Sequence, residues 1–566
     1  PVKTLTLSPL DKSDLNQLVA DTLQCNRSGA NPLTELIYQK TQGNPFFATQ
    51  FIKYLYNEKL LNFDWQSGFW QCKLANIKTL SMSDNVVEFM SLELKKLPSS
   101  CQNLLQLAAC LGAEFDLQTL ELISQDSISE VAMGLWTAIQ QEFVIPTNQI
   151  YKFFTDFETP ENIKGELNPR YRFVHDRIQQ AAYSLIPEEH KQATHLQIGR
   201  LLQEKLAEED REKRCFEIVG HLNLAPDLIR ERREKEAVAE WNLVATRKAI
   251  KSTAYPLAQS LVETGISWLE ENAWDNQYSL SLSLKTLGVE TAYLTGDFEL
   301  MNQRATEVLA ATKIVLDRVK IYQIQVSSLT AQGQMLEALK LGQKALLELG
   351  VHWLDEGDSQ SMEMNLKRAV ERVSERLGGK TIEDLVHEPQ MTDASMKAAM
   401  DLCALLFPAV YQASPQLQPL LCATMVSLSL EFGNSPASSL GYGSYGMVLS
   451  AFMGDVEQGY RFGRLALNLM ELLKVSEFKS LNLLWFGGFI QHRKESLRST
   501  RLTMRDGYLA GMDSGDFLNA GYNLINYFYD SVFAGVILED WEREIQDYVD
   551  VLASVKQESP LTYLKM

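Results

Sequence analysis

Three stretches in the second half of the chain repeat one spacing of small and apolar residues. A glycine is followed by small or aliphatic residues nine, twelve and thirteen positions later. Glycine can open a tight turn, and a small residue lets a neighbouring helix approach closely, as in tetratricopeptide hairpins. The spacing therefore predicts stacked helical hairpins. The three sets are Gly296, Ala305, Val308 and Leu309; Gly333, Gly342, Ala345 and Leu346; and Gly454, Gly463, Ala466 and Leu467.

The region around these sets is helical in pattern from about residue 196 to the end. Turn signals such as Gly296-Asp297 and Gly454-Asp455 recur along it. Paired helices of this length predict a solenoid built from degenerate repeats, because the first two sets lie 37 residues apart, against the ~34 of a regular tetratricopeptide repeat.

The N-terminal 95 residues alternate short helical patterns with polar breaks. The clearest begins at Pro45, after which Phe47, Phe51, Tyr54, Leu55 and Leu61 recur at helical spacing. Asn44 is a favourable N-cap, and proline is accepted at the first helical position because the amide hydrogen there would lack a partner in any case. The pattern predicts a helix that starts at Pro45 and buries one face.

Residues 98 to about 200 show a different order of elements. Three short helical patterns are followed by strand-like stretches at 143–146 and 171–174, joined by a polar loop. A further helical pattern carries Ile178, Ala181, Ala182 and Leu185. This order is typical of a winged-helix domain.

The net charge of -19 and the scattered cysteines restrict the partners of the chain. No basic block relieves the negative charge, so nucleic acid is not an expected partner. The seven cysteines form no C-x-x-C pair, which favours a reducing, cytoplasmic location and neither a disulfide framework nor a zinc site.

The longest apolar runs are interrupted by Pro408 or by polar residues, so no membrane span is expected. A start at Pro1 without a signal peptide, and an uncapped end at Met566, suggest a piece of a longer protein.

Two short motifs carry the most chemical information, Gly43-Asn44-Pro45 and Val174-His175-Asp176. The helix start at Pro45 can attract an anion, and the proline ring offers a flat surface to a purine. His175 lies between a strand and a helix, where its imidazole could hold a phosphate oxygen. Purely structural interpretations remain open: an ordinary capped helix at Pro45, and a structural histidine followed by Asp176 as N-cap.

Other motifs do not indicate catalysis or a metal. The run 374–381 resembles a phosphate-binding loop but has Ser374 in place of its first glycine, and it follows a charged helical pattern that Gly378 is expected to cap. His190 and His195 lack further ligands at metal-binding spacing. The chain contains no nucleophile elbow, zincin helix or kinase catalytic loop, so it is not expected to transfer a phosphoryl group by itself.

Several motifs together resemble the central region of large multidomain signalling kinases of cyanobacteria and other bacteria. These kinases join a serine/threonine kinase domain to a STAND-class ATPase module, helical repeats and often a GAF sensor and a histidine kinase. The resemblance covers nearly the whole chain and rests on Lys40-Thr41-Gln42-Gly43-Asn44-Pro45-Phe46-Phe47, Asp84-Asn85-Val86-Val87-Glu88, Ala108-Ala109-Cys110-Leu111-Gly112, Val174-His175-Asp176-Arg177-Ile178-Gln179-Gln180-Ala181-Ala182-Tyr183, Ser252-Thr253-Ala254-Tyr255, Leu430-Glu431-Phe432-Gly433-Asn434-Ser435-Pro436 and Gly459-Tyr460-Arg461-Phe462-Gly463.

The resemblance implies a nucleotide site shared with an ATPase core. In STAND modules the proline of the lid contacts adenine and the histidine of an M-H-D motif contacts the diphosphate. These roles fall on Pro45, with Gly43 and Asn44 beside it, and on His175, with Val174 in place of methionine. The phosphate loop and the acidic metal-binding strand are missing from this sequence, so ADP or ATP would bind only together with an upstream core, and no metal is expected on this segment.

The expected fold is mainly α, with a helical lid and a winged-helix domain followed by a tetratricopeptide-like α-solenoid. The expected domains are lid helices of a STAND module at 1–95, a winged helix at 96–195 and helical repeats at 196–566. The resemblance implies a regulatory segment that couples nucleotide state, and a protein or signal ligand on the repeats, to kinase domains of the same parent chain. Two alternatives remain: a transcription regulator whose winged helix reads DNA, and an interaction scaffold without nucleotide.

Overall fold

A computed structural model describes residues 8–65, 69–72, 86–151, 168–353, 361–555 and 558–565. The chain forms two compact units, residues 1–245 and residues 246–566. The mainly α fold expected from the sequence is confirmed. Pro1, Asp84, Asn85, Met566 and most of the polar loop, residues 152–167, lie outside the described residues.

The first unit begins with three helices and a hairpin. They are α1 (Lys12–Thr22), α2 (Arg27–Thr41), α3 (Pro45–Asn57), β1 (Leu61–Asp64) and β2 (Phe69–Cys72). The predicted helix after Asn44 is present, and Phe47, Phe51 and Leu55 are buried on one face of it. Its predicted extension to Leu61 is wrong, because Lys59 adopts a left-handed backbone conformation (φ 57°) and Leu61 begins a strand that pairs with Cys72.

The next part of the unit carries a small antiparallel sheet between helices. The elements are α4 (Val86–Leu94), α5 (Ser99–Leu111), β3 (Glu114–Asp116), α6 (Leu117–Ser124), α7 (Ile128–Gln140), β4 (Val144–Pro146), a 3-10 turn (Gln149–Tyr151), β5 (Arg170–Phe173) and α8 (Asp176–Ser184). The two strands predicted at 143–146 and 171–174 are present as β4 and β5, and they pair with each other, with Val144 opposite Phe173. The third strand, β3, pairs with β5, which places β5 at the centre of the sheet.

Four further helices follow, of which the last crosses the division between the units. They are α9 (Glu188–Lys205), α10 (Glu208–Lys213), α11 (Cys215–Leu222) and α12 (Arg232–Lys251). Leu196, Ile198 and Leu202 of α9 are buried, as are Ile218 and Leu222 of α11, so these two helices pack through apolar faces.

The described part of the second unit is built from consecutive helices with extensive apolar cores. The α-helices are α13 (Tyr255–Ser267), α14 (Ala273–Asn276), α15 (Tyr278–Leu294), α16 (Phe298–Ala311), α17 (Val315–Ala331), α18 (Met335–Glu348), α19 (Met362–Leu377), α20 (Ala394–Ala413), α21 (Gln418–Phe432), α22 (Ser438–Met447), α23 (Val456–Leu473), α24 (Lys479–Trp485), α25 (Leu497–Ser514), α26 (Phe517–Phe533), α27 (Leu538–Ser554) and α28 (Glu558–Lys565). Short 3-10 segments occupy Glu383–His387, Pro415–Leu417 and Gln491–Arg493, and π-helical segments occupy Val448–Phe452 and Phe486–Ile490.

The repeated glycine spacing has the structural meaning predicted for it. Gly296, Gly333 and Gly454 adopt left-handed backbone conformations, with φ between 74° and 80°, at the turns before α16, α18 and α23. Nine residues after two of these turns, a Cβ added at Gly342 would lie 2.4 Å from Leu406 Cδ2, and one added at Gly463 would lie 2.7 Å from Phe486 Cδ2. The small residue therefore allows a close helix contact at both positions.

The run at 374–381 is a helix end, as predicted. Helix α19 ends at Leu377, and Gly378 caps it in the left-handed conformation with φ 58°. The Thr381 hydroxyl donates a hydrogen bond to the Asp384 carboxylate over 2.6 Å. The segment thus terminates a helix in the manner expected of a glycine C-cap.

Helix α20 is long and apolar enough to cross a membrane by length and composition, with a mean hydropathy of 1.3 over its most apolar window. The expectation that Pro408 interrupts this run is wrong, because the helix continues through it. Leu406, Phe407 and Ala409 beside the proline are buried in the apolar core of the second unit. Tertiary packing therefore holds a helix that an isolated proline would weaken.

Replacement of Gly342 by alanine should destabilise the second unit by about 1–3 kcal/mol, because the new methyl group would overlap the buried Leu406 side chain. The free energy of unfolding from urea titration measures the effect. Gly220→Ala in α11 of the first unit is the control for the glycine-to-alanine change in a helix, since its Cβ would meet no atom within 4 Å. The control should be neutral or stabilising by up to about 1 kcal/mol. Equal stabilities of the two variants would contradict the close contact.

Candidate functional site

Gly43 fixes the turn that precedes the candidate nucleotide-binding helix. Its backbone has φ 78°, and its carbonyl oxygen accepts a hydrogen bond from the Leu10 amide over 2.9 Å. A Cβ at this position would lie 2.1 Å from the Leu10 carbonyl oxygen. Only glycine accepts this positive φ readily and also lacks a Cβ that would overlap Leu10. The hydrogen bond from Leu10 to Gly43 thereby attaches the segment before α1 to the start of α3.

Asn44 and Pro45 begin α3 as the sequence predicts. The Asn44 side-chain oxygen accepts hydrogen bonds from the amides of Phe46 and Phe47 over 3.0 and 3.3 Å. Pro45 occupies the first helical position and is exposed. The cap orients the first turn of α3 and leaves the proline ring accessible.

His175 is itself the N-cap of α8, which corrects the alternative that placed the cap on Asp176. Its Nδ1 accepts a hydrogen bond from the Arg177 amide over 3.1 Å, and its carbonyl oxygen accepts one from the Ile178 amide over 2.9 Å. Because Nδ1 acts as an acceptor, the proton of the neutral imidazole lies on Nε2. The cap thus leaves one ring N–H as a potential donor to a ligand.

The two predicted motifs meet through aromatic rings. The Phe47 and His175 ring centroids are 4.6 Å apart with a tilt of 57°, and the Phe46 ring stacks near His175 at 6.2 Å and 15°. Phe46 and Phe47 follow Pro45 directly in the first turn of α3. The structure therefore brings the Gly43–Pro45 turn and His175 to one place, although they are about 130 residues apart in sequence.

A polar contact supports the same approach of α3 to the sheet-containing part of the unit. The Lys53 ammonium lies 2.6 Å from a Glu142 carboxylate oxygen, and the Gln50 amide donates to the same oxygen over 3.0 Å. The hydrogen bond from Lys53 is the main cause of the lowered pKa of Glu142. Both partners are half exposed, so this ion pair adds to the orientation of α3 more than to stability.

The electrostatics of the site favour an anion but leave few free donors. Helices α3 and α8 both begin here, and helix N-termini carry partial positive charge. The amides of Phe46, Phe47 and Arg177 are already bonded to the Asn44 and His175 side chains. His175 Nε2 is therefore the group best placed to donate to a phosphate, and Asp176 adds a competing negative charge in the first turn of α8.

A second histidine arrangement was not predicted from the sequence. His195 Nδ1 lies 2.8 Å from His221 Nδ1, and His195 Nε2 lies 2.9 Å from the Tyr183 hydroxyl. These residues connect α8, α9 and α11. One of the two facing Nδ1 atoms must carry a proton and the other must not. His221 gave no sequence signal because its partner, His195, is 26 positions away.

Burial keeps both of these histidines neutral. Burial, reinforced by His195 and Arg214, lowers the pKa of His221 to about 4. Burial and the nearby Lys191 also lower the pKa of His195. Among the residues that the structure describes, no group of three histidine, cysteine, aspartate or glutamate side chains could hold a metal ion.

The chain is similar to two curated histidine kinases from eukaryotes. It is 25% identical over 614 aligned residues to the Hybrid signal transduction histidine kinase G of Dictyostelium discoideum. The alignment covers 96% of this chain and 18% of that kinase. The chain is 22% identical over 305 residues to the Peroxide stress-activated histidine kinase mak3 of Schizosaccharomyces pombe, which covers 52% of this chain and 12% of that kinase. The chain thus spans less than a fifth of the length of either relative.

Among solved structures, the chain is similar to a Signal Transduction ATPase with Numerous Domains (STAND) protein with a tetratricopeptide repeat sensor from Pyrococcus horikoshii. The identity is 9% and the TM-score 0.37 over 98% of this chain and 75% of that one. No protein-family model matches the chain. The expected similarity to signalling histidine kinases is confirmed, whereas a bacterial origin and the accompanying domains stay predictions.

The neutral His195–His221 pair should make the first unit sensitive to acid. In the unfolded state His221 takes up a proton near pH 6.5, whereas in the folded state its pKa is about 4. Its contribution is therefore complete above pH 6.5 and is lost as the pH falls to about 4, with a total on the order of 3 kcal/mol. Urea titrations across this range should show a reduced pH slope for His221→Asn. His190→Asn is the control, because His190 is exposed. If the unmodified chain and both variants showed the same dependence of unfolding free energy on pH, the contribution of His221 would be excluded.

Replacement of Gly43 by alanine should destabilise the first unit by more than the same change at Gly112. Both glycines have positive φ, so each substitution incurs backbone strain, which commonly costs about 1–3 kcal/mol for a single residue. Only at Gly43 does the added methyl group also overlap a backbone carbonyl, whereas at Gly112 the nearest atom is 4.0 Å away. Urea titration measures the stabilities, and hydrogen exchange of the Leu10 amide reports the lost bond. An unchanged exchange rate at Leu10 would contradict this role of Gly43.

Proposed function

We propose that this chain is the nucleotide-sensing regulatory segment of a multidomain signalling kinase, in which α3 acts as an ATPase lid and the domain around β3–β5 and α8 acts as a winged-helix sensor. The observation that carries the proposal is the direct contact of the Phe46 and Phe47 rings with the His175 imidazole. Similarity to two histidine kinases supports the signalling role.

The nucleotide would bind at the Gly43–Pro45 turn and His175, together with an ATPase core elsewhere in the parent protein. Pro45 would contact adenine through its exposed ring, and the His175 Nε2–H would donate to the diphosphate. Gly43 and Asn44 would position the turn without contacting the base. Any Mg²⁺ would be held by the core and by the phosphates, since this segment contributes no metal ligands to the proposal.

A nucleotide can act as a switch only if it prefers one of two arrangements of the lid. In this structure the Phe46 and Phe47 rings of α3 contact the His175 imidazole. A diphosphate bound at His175 Nε2 would either strengthen this ring contact or take its place. Loss of one phosphate changes the charge beside two helix N-termini and thereby the relative stability of the two arrangements. ADP and ATP would thus favour different states of the lid.

The helical repeats of the second unit would receive the other input, a protein or a signal ligand. Helical repeat arrays present extended surfaces for such partners. The combined state of nucleotide and partner would then set the output of histidine or serine/threonine kinase domains in the same cytoplasmic parent chain.

DNA recognition by the winged helix is less well supported. Helix α8 carries Arg177, whose guanidinium already donates to Gln180 over 2.9 Å, and β5 adds the exposed Arg170 and Arg172. Three arginines on the described residues of β5 and α8 are few for a phosphate-contacting surface, because specific DNA-binding proteins commonly contact about 6–10 phosphates. The chain also carries a net charge of -19.

His175→Ala in the full parent protein should speed the release of ADP, because the diphosphate would lose its imidazole donor. Loss of one charge-assisted hydrogen bond of about 1.5–3 kcal/mol corresponds to a roughly tenfold to hundredfold faster off-rate. Stopped-flow displacement of a fluorescent ADP analogue measures it, and basal kinase output should rise in parallel.

His190→Ala is the matched control for the ADP experiment, since His190 is well exposed on α9 and lies outside the site. Its ADP off-rate should equal that of the unmodified protein. An unchanged off-rate in His175→Ala, with native stability, would remove the sensor role from His175.

A further inference from the structure

A small cavity in the second unit lies between α19 and the helices on either side of Gly454. Its volume is about 250 Å³. Val370, Val373 and Leu377 of α19 form one wall, and Leu449 of the π-helical segment Val448–Phe452 faces them. An apolar cavity of about 150 Å³ can hold benzene, so this one can accept a single substituted ring.

The base of the cavity is a rigid aromatic pair. Tyr445 and Phe462 meet edge to face, with centroids 5.0 Å apart and an interplanar angle of 88°. Both side chains are almost fully buried in the chain and both line the cavity. The Tyr445 hydroxyl forms no hydrogen bond with any residue that the structure describes, so it can donate to a ligand in the cavity that Tyr445 lines.

Close backbone packing fixes the two helices that form one side of the cavity. A Cβ added at Gly446 would lie 2.8 Å from the Gly459 carbonyl oxygen, and one added at Gly459 would lie 2.7 Å from Ser450 Cβ. The helix before Gly454 and α23 therefore already touch and cannot move closer. The π-helical segment that carries Leu449 is a rare conformation that occurs often at functional sites.

A carboxylate lies among the residues that line the cavity. Asp455 caps α23 by accepting a hydrogen bond from the Gln458 amide over 3.0 Å, and its other oxygen accepts one from the Gln458 side chain over 2.8 Å. These bonds fix the negative charge at the cavity. An anionic ligand would be repelled, and a neutral one would not.

We propose that this cavity binds a small, neutral, single-ring molecule with one hydrogen-bond acceptor, which receives the Tyr445 O–H. Volume, aliphatic walls on two sides, an unpartnered hydroxyl and a fixed carboxylate together select this class, and Ser374 and Gln458 add polar groups to the rest of the lining. Binding does not depend on the nucleotide-sensing role. Only the use of the cavity as a signal input rests on the proposed function.

Acetophenone is a suitable probe, with benzoate as an anionic compound of similar size and ethylbenzene as a compound without an acceptor. The purified chain, labelled with ¹³C at methionine methyl groups, should show shifts at Met453, which lines the cavity, and none at Met364. Acetophenone should bind and benzoate should not. Tyr445→Phe should weaken the binding of acetophenone by about three- to tenfold, as expected for the loss of one neutral hydrogen bond, and should leave the binding of ethylbenzene unchanged.

Met453→Trp tests the location, because a larger side chain there fills the cavity from its partly exposed edge. Met364→Trp on α19 is the control, since Met364 is similarly exposed and does not line the cavity. Ligand-detected NMR should show that Met453→Trp no longer binds acetophenone, whereas Met364→Trp still does. Absence of binding, equal binding of benzoate, or unchanged binding in Met453→Trp would each overturn the proposal. None of these outcomes bears on ADP release from His175.

Discussion

The contact between the Phe46 and Phe47 rings and the His175 imidazole joins two helices whose starts are each fixed by a side-chain cap. Asn44 caps α3 and His175 caps α8, so the backbone starts of both helices are held by side chains at this contact. Aromatic pairs of this kind contribute roughly 0.5–1.5 kcal/mol each, which lies in the range of typical allosteric coupling energies. Under the proposed function, a nucleotide that alters this contact would change the equilibrium between two positions of α3.

Local chemistry in the sequence was sufficient to predict much of this site. Asn44 as a cap, Pro45 at the first helical position and the strand that leads into His175 all follow from residue types at short range. The glycines at 296, 333 and 454 were equally predictable, because positive φ at a turn is a requirement of the backbone itself. The approach of Pro45 to His175 was predicted from a family resemblance, since nothing in the residues between them specifies it.

The features that sequence reasoning missed depend on pairing between distant segments. Leu61 continues a helical spacing yet begins a strand, because β2 supplies its partner. Strand β3 is only three residues long, too short for a periodic pattern. His221 appears as an ordinary residue of an apolar helix until α9 places His195 beside it. The cavity above Tyr445 likewise exists only where α19 meets elements about 70 residues later.

Helix α20 has a consequence for how the chain is made. Its composition would let it enter a lipid bilayer, so while unfolded it is a potential substrate for membrane insertion or for aggregation. Its contacts include α17 and α18, which precede it in the chain. Part of the packing surface of α20 is therefore synthesised before it, including Gly342 on α18, which provides the space into which Leu406 packs. The rest follows it in the chain, including Trp485, whose ring packs on Phe407, so α20 must stay partly exposed until these later residues have been made.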